Sequence, residues 1–238
     1  MKLDLLVFAA HPDDAELASG GTIIKLVAEG KKVGIVDLTR GELGTRGNAE
    51  LRSKEAEAAS KILGIAVREN LGYADGFFSN DSEHQLGVIA IIRKYKPEII
   101  VCNTVTDRHP DHGRASKLVS DSNFYSGLIK VQTVHDGSQQ ACWRAKAVYL
   151  TVQDRYTKPD FVIDISDVMD KKMEAIHAYK SQFYSADSKE PETPISSKEF
   201  MEALFARATE YGRPIGARYA EGFTAERITG VNSLFDLK

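Results

Sequence analysis

The stretch LLVFAAHPDDAELASGG, residues 5–21, joins the two patterns that decide the fold. From Leu3 to Ala10 the chain is apolar apart from Asp4 and does not alternate, as expected of a strand covered on both faces. His11, Asp13 and Asp14 then arrive together. From Asp14 to Glu29, apolar Leu17, Ile23, Ile24, Leu26 and Val27 fall on one side of a helix that Gly30 stops. A buried strand feeding directly into a helix predicts a parallel sheet. Charge is costly to bury alone, so the cluster at the junction calls for a partner.

The same alternation repeats outward from this junction. KVGIVDLT (32–39) reads as a strand and NAELRSKEAEAASKILG (48–64) as an amphipathic helix, with Asn48 as N-cap and Gly64 as the stop. VRENLGY (67–73) reads as a strand edge, LGVIAIIRKYKP (86–97) as a helix closed by Pro97, EIIVCN (98–103) as a central strand, and residues 112–129 as another helix. This spacing predicts an α/β, Rossmann-like, mostly parallel sheet with helices on both faces and right-handed crossovers. Ligands in such sheets gather at the carboxyl ends of the strands, where the first cluster sits. The second half is less regular. Strands are expected at 145–152 and 161–166, helices at 167–183 and 196–212, and a closing strand within 219–228. Residues 131–144 and 184–197 read as the freest loops.

A length of 238 residues suits one α/β domain spanning 1–238, and 42% hydrophobic residues suffice for a core. A net charge of −3 provides no basic field for nucleic acid or an anionic membrane. Cys102 and Cys142 are too few for a disulfide framework, and Cys102 within IIVCN reads as a small buried apolar residue. The opening apolar run is short, is broken by Asp4 and leads into acid rather than a cleavage site, so it reads as a strand and not as a signal peptide. No run approaches the ~20 apolar residues of a membrane span, and a cytoplasmic location is the expectation. The non-enzymatic rival is a nucleotide-binding module. It lacks a G-x-G-x-x-G turn after the first strand and a phosphate-binding G-x-x-x-x-G-K-[ST] loop, and ASGG falls inside the helix.

His11 and Asp14 are three apart, and Pro12 favours a first helical turn, so the two side chains can converge on one point with Asp13 nearby. Taken alone, PDD reads equally as an ordinary helix cap. TDRHPDHGR (106–114) supplies a second cluster, His109, Asp111 and His112, at the end of another strand. Two His-Pro-Asp tripeptides at equivalent strand ends exceed what capping requires. Two histidines, one carboxylate and an open position form a hydrolytic zinc site, and the same ligands suit iron(II). The division of labour that follows has Asp14 ligating and Asp13 free as general base. His109 is charged, to meet an oxyanion or protonate a leaving amine, and Asp111 orients it. His84, His135 and His177 lack ligand-like neighbours and read as surface or structural residues. Trp143, Phe77, Phe78, Tyr184 and Tyr219 fit either a pocket rim or a packing surface.

AHPDD after the first strand and HPDH after a later one resemble the LmbE-like (PIG-L) zinc-dependent N-acetylglucosamine deacetylases. DLTRGELGTRG, ELRSKEA, YKP, DRHPDH, KPDFVIDIS, YKSQF and YAEGF extend the resemblance along the chain, toward the bacillithiol-biosynthesis branch that deacetylates N-acetylglucosaminyl-malate. The resemblance implies zinc on His11, Asp14 and His112, Asp13 as base, and His109 charged beside Asp111. It also implies a small amino-sugar conjugate as substrate and a homo-oligomer, often a hexamer. It places Arg52 near an acidic aglycone, Asp75 of YADG on substrate hydroxyls, and Arg108 near a carboxylate. Each of these three has a local alternative: a solvated helix arginine, a turn aspartate, and a partner of Asp107. Ala18 stands where some mycothiol-branch relatives carry serine, so that hydroxyl's contacts do not transfer. A sister branch with amidase action on a thiol conjugate is the enzymatic alternative.

Overall fold

The computed structural model describes residues 1–236. Strand and helix alternate through β1 (Leu5–Ala9), α1 (Asp14–Ala28), β2 (Val33–Thr39), α2 (Ala49–Leu63), β3 (Val67–Tyr73), α3 (Ser82–Tyr95), β4 (Ile99–Cys102) and α4 (Pro110–Ser126). A hairpin of β5 (Val134–His135) and β6 (Ser138–Gln139) follows, then β7 (Ala147–Thr151), β8 (Phe161–Asp164), α5 (Met169–His177), α6 (Lys198–Gly212) and β9 (Ala220–Ala225). The main sheet has seven strands in the order β3-β2-β1-β4-β7-β9-β8. The pairs from β3 to β7 are parallel, and β9 runs antiparallel to both β7 and β8.

The unbroken apolar run of β1 reflects burial on both faces. Leu6, Phe8 and Ala10 pack with Ile92 of α3 and Leu118 of α4. Leu5, Val7 and Ala9 pack with Ile23 and Ile24 of α1 on the opposite face. Phe8 is 1% exposed, and truncating such a side chain to alanine costs about 3–5 kcal/mol. A further cluster joins Ala59 of α2, Met173 and Ile176 of α5 and Leu204 of α6. Buried Glu221 of β9 takes main-chain N–H groups of Gly21 and Thr22 in α1 at 2.8 and 2.7 Å, and Lys172 of α5 at 2.6 Å. Gly21 is required there, since a Cβ would come 2.7 Å from Ile165.

Four local departures from the sequence expectations have physical causes. Helix α3 begins ahead of its apolar run because the Asp81 carboxylate accepts the His84 N–H at 3.0 Å. Helix α5 ends at His177, although the apolar pattern continues to Phe183. There Glu55 takes both the N–H and the hydroxyl of Ser181 at 2.7 Å, turning the chain while Tyr179 and Phe183 stay buried. The expected loop at 131–144 contains the β5–β6 hairpin, turned by Asp136-Gly137 with φ of 50° and 72°. Finally, Pro12 lies outside α1, which starts at Asp14. Among the described residues no helix is long and apolar enough to cross a membrane.

Candidate metal centre

Strands β1 and β4 are neighbours, yet the chain leaves β1 toward β2 on one side and reaches β4 on the other. This reversal opens a crevice at their carboxyl ends. Asn103, just past β4, pins it: its Oδ1 accepts the Ala10 N–H at 2.8 Å and its Nδ2 donates to Asp14 Oδ2 at 3.1 Å. Gln153, past β7, donates to Asp14 Oδ1 at 2.5 Å, and the His11 N–H donates to Oδ2 at 3.0 Å.

Two imidazoles face the carboxylate so held. His11 Nδ1 lies 3.4 Å from Asp14 Oδ2, and His112 Nε2 lies 3.2 Å from Asp14 Oδ1. The opposite nitrogen of each ring meets a second carboxylate. His112 Nδ1 is 2.6 Å from Asp107, and His11 Nε2 is 2.9 Å from Asp75 and 3.3 Å from Asp111. The ring centroids of His11 and His112 are 5.8 Å apart, with His109 at 4.5 and 5.5 Å. Ring nitrogens of all three histidines fall within 4.8 Å of one another, and so do donor atoms of His11, Asp75 and Asp111.

These contacts are strongly directional in charge. Burial opposes ionisation of Asp14, but the His112 and His11 rings outweigh it and hold the carboxyl well below its usual range. Burial also opposes charge on His112, yet Asp14 and Asp107 lift it to about 9. On His11, burial is again outweighed, here by Asp111, Asp14 and Asp75. Asp13, Asp14, Asp75, Asp107 and Asp111 are all buried, against the buried cation Arg52. So negative a pocket holds positive charge, and a divalent cation fits the donors. Each imidazole can offer one nitrogen while its other N–H is fixed by a carboxylate, the arrangement that sets ring orientation in histidine metal sites. Asp14 presents one carboxylate oxygen to each of the two rings.

Asp13 is buried, takes φ of 112° as the N-cap of α1, and makes no capping bond with its side chain. Its carboxylate pairs with Arg52 instead. Burial pushes the Asp13 carboxyl up to about 6, with Arg52 pulling against it. Arg52 is buried beneath the 41–44 turn, with its guanidinium on Asp13. Asp75 clamps His11, and its Oδ2 takes the Leu43 N–H at 2.9 Å. Arg108 is half-exposed and pairs with Asp154 at 2.7 Å, while Asp107, its local alternative, serves His112.

The expected Asp111–His109 pair does not form. His109 is the N-cap of α4, and its Nδ1 accepts the Asp111 N–H at 3.2 Å. That bond leaves the proton of a neutral ring on Nε2. Burial and the nearby His11 and His112 rings lower the His109 pKa. The Asp111 carboxylate goes to His11, to the Gly76 N–H at 2.8 Å and to Arg114. Sequence reasoning missed Asn103, Gln153 and Asp107 as site residues. For the first two, the available signal was a polar side chain immediately after an apolar strand at the carboxyl edge.

The family described as GlcNAc-PI de-N-acetylase (PIG-L) matches residues 6–122. Over 231 residues the chain is 30% identical to the diacetylchitobiose deacetylase of Thermococcus kodakarensis, covering 92% of this chain and 81% of that protein. It is 28% identical over 195 residues to a probable N-acetyl-alpha-D-glucosaminyl L-malate deacetylase 2 of Bacillus cereus, covering 76% and 84%. The crystal structure of the conserved protein TT1542 from Thermus thermophilus superposes with a TM-score of 0.86 at 35% identity, covering 97% of this chain and 98% of that one. The chain belongs to the PIG-L family, and it is a deacetylase of that family.

Proposed function

We propose that this chain removes the acetyl group from a small N-acetylglucosaminide, using a divalent cation held by His11, Asp14 and His112. The observation that carries the reading is the paired anchoring of the two rings. Each presents one nitrogen toward Asp14 and gives the other to a buried carboxylate, Asp75 or Asp107. Zinc is the metal we assign, with iron(II) the alternative for the same donors. The bound metal supplies Lewis acidity and brings the pKa of a water near 7. Asp13 takes a proton from the attacking water as its oxygen adds to the acetyl carbon. The His109 Nε2–H, free of the helix cap, donates to the oxygen that gains negative charge. The C–N bond then breaks and the proton held by Asp13 passes to the amine, giving acetate and the free amino sugar.

Two aglycones come from different directions. The sequence resemblance and the Bacillus cereus relative favour malate, and with it bacillithiol biosynthesis, whereas the Thermococcus kodakarensis relative favours a second amino sugar. The pairing of Arg52 with Asp13 and of Arg108 with Asp154 favours the neutral aglycone, because both cations suited to malate already hold acids of this chain. Metal-loaded enzyme incubated with N-acetylglucosaminyl-malate, diacetylchitobiose and N-acetylglucosamine, assayed for acetate and new primary amine, tests both levels. Release from none of the three overturns the deacetylase assignment for small N-acetylglucosaminides, and faster release from the malate conjugate overturns the neutral aglycone. Release of a bulky acyl group in preference to acetate would favour the amidase branch. A cytoplasmic location and a homo-oligomer, hexameric as in the resembled family, complete the proposal, and sedimentation tests the assembly.

A further inference from the structure

The two rings of the centre come from different elements: His112 lies in α4, and His11 follows β1. One cation of α4 is placed to fix these elements against each other. Asp111 and Arg114 are three apart in the first turns of α4 and share a face. Arg114 Nη1 donates to Asp111 Oδ1 and, at 2.5 Å, to the carbonyl oxygen of Gly76 in the loop after β3. The other oxygen of Asp111 accepts the Gly76 N–H at 2.8 Å and lies 3.3 Å from His11 Nε2. Gly76 takes a left-handed φ of 73°, open to glycine, with both its N–H and its carbonyl on α4. Its neighbour Asp75 reaches the same His11 nitrogen at 2.9 Å.

An exposed ion pair at this helical spacing has little worth by itself. Here the acid is wholly buried, and the guanidinium also holds a main-chain carbonyl of another element. With Nδ1 turned toward Asp14, the His11 ring has one nitrogen, Nε2, for two acids, and Asp75 is the nearer. Asp111 therefore depends on the Gly76 N–H and Arg114 to stay beside the ring. Removing the guanidinium leaves two acceptors short of a donor, one of them on a buried carboxylate, which is costly unless the groups move. We infer that Arg114 is a positioning residue of the metal centre. Acting through Asp111, it fastens the Asp75 loop to α4 and so fixes the His11 ring opposite His112. The two hydrogens of one planar guanidinium nitrogen meet two acceptors in set directions, which a lysine ammonium on a flexible stem does less well. This role rests on the assignment of the cation to His11, Asp14 and His112.

The test uses full-length protein carrying Arg114→Met, Arg114→Lys, Asp111→Asn, the Asp111→Asn/Arg114→Met double and, as a reference, His112→Ala. Zinc affinity is read by competition with a chelator, at a temperature where circular dichroism shows each zinc-free variant to be folded. A merely structural arginine does not alter the affinity of protein that is already folded. Arg114→Met weakens zinc binding about 10–100-fold, as loss of an outer-shell partner does. Arg114→Lys, which keeps the charge and can reach one of the two acceptors, recovers part of that loss. The double variant binds zinc no more weakly than Asp111→Asn alone, because residues acting through one another are non-additive. Wild-type affinity in folded Arg114→Met, no recovery in Arg114→Lys, or multiplicative losses in the double overturns the inference. Wild-type affinity in His112→Ala instead removes the metal assignment itself, and the inference with it.

Discussion

The two His-Pro-Asp tripeptides, residues 11–13 and 109–111, have the same letters on different backbones. In the first, the helix begins only after the tripeptide, and Asp13 takes a left-handed φ of 112° with its side chain free of capping. In the second, Pro110 opens the helix, His109 is the cap, and Asp111 lies in the first turn. A shift in where the helix starts therefore exchanges the roles. The acid of the first tripeptide pairs with Arg52 and is the proposed base. The acid of the second is directed to His11, and its histidine spends one nitrogen on the helix and keeps the other clear of the cap. The lesson is that a repeated motif at two strand ends need not be a repeated function.

Breaking the contrast at its strongest point, Asp13→Asn should lower kcat by about 10²–10⁴-fold with bound metal unchanged by elemental analysis. Asp111→Asn should instead loosen the metal, and an Asp111 variant that kept its metal but lost turnover as Asp13→Asn does would erase the distinction. Next, His109→Asn keeps a good N-cap residue while removing the ring donor. We expect kcat to fall about 10²–10³-fold with little change in Tm, and a wild-type rate would show that the ring has no role beyond the cap. Asp107→Asn and Asp75→Asn each remove a carboxylate from the far side of a ligand ring and should weaken metal affinity about 10–100-fold, read by competition with a chelator. The smallest effect belongs to Arg108→Ala. Its pair with Asp154 is half-exposed, so stability should move by no more than about 0.5 kcal/mol, and KM for a neutral disaccharide should not change.

The parallel core was legible because its strands are buried on both faces and so read as largely apolar runs, wholly so in Leu5–Ala9 and broken by Asp37 in Val33–Thr39. Helix ends were legible where a cap residue stands alone, as at Asn48 and Gly64. The end of α5 was not, because Tyr179 and Phe183 continue the apolar spacing while Glu55, distant in sequence, turns the chain. Within the site, histidines and acids crowded at strand ends stood out. Their pairing did not, because Asp75 arrives on the loop after β3 and Arg52 on the first turn of α2, and only the packed sheet determines their approach. Asn103 and Gln153 are short polar residues after apolar strands, a pattern too common to single out before both are seen on Asp14.

The central claim is that one divalent cation is gripped by His11, Asp14 and His112. Two overlapping donor groups surround His11, one with His109 and His112 and the other with Asp75 and Asp111, so the position of the metal decides the matter. Anomalous diffraction at the zinc absorption edge, from crystals of the zinc-loaded chain, reads that position directly. The account predicts a single strong peak about 2.0–2.2 Å from a ring nitrogen of His11, a ring nitrogen of His112 and an oxygen of Asp14, with Asp13 outside the coordination shell. A peak centred between Asp75 and Asp111, or none near His112, would contradict it.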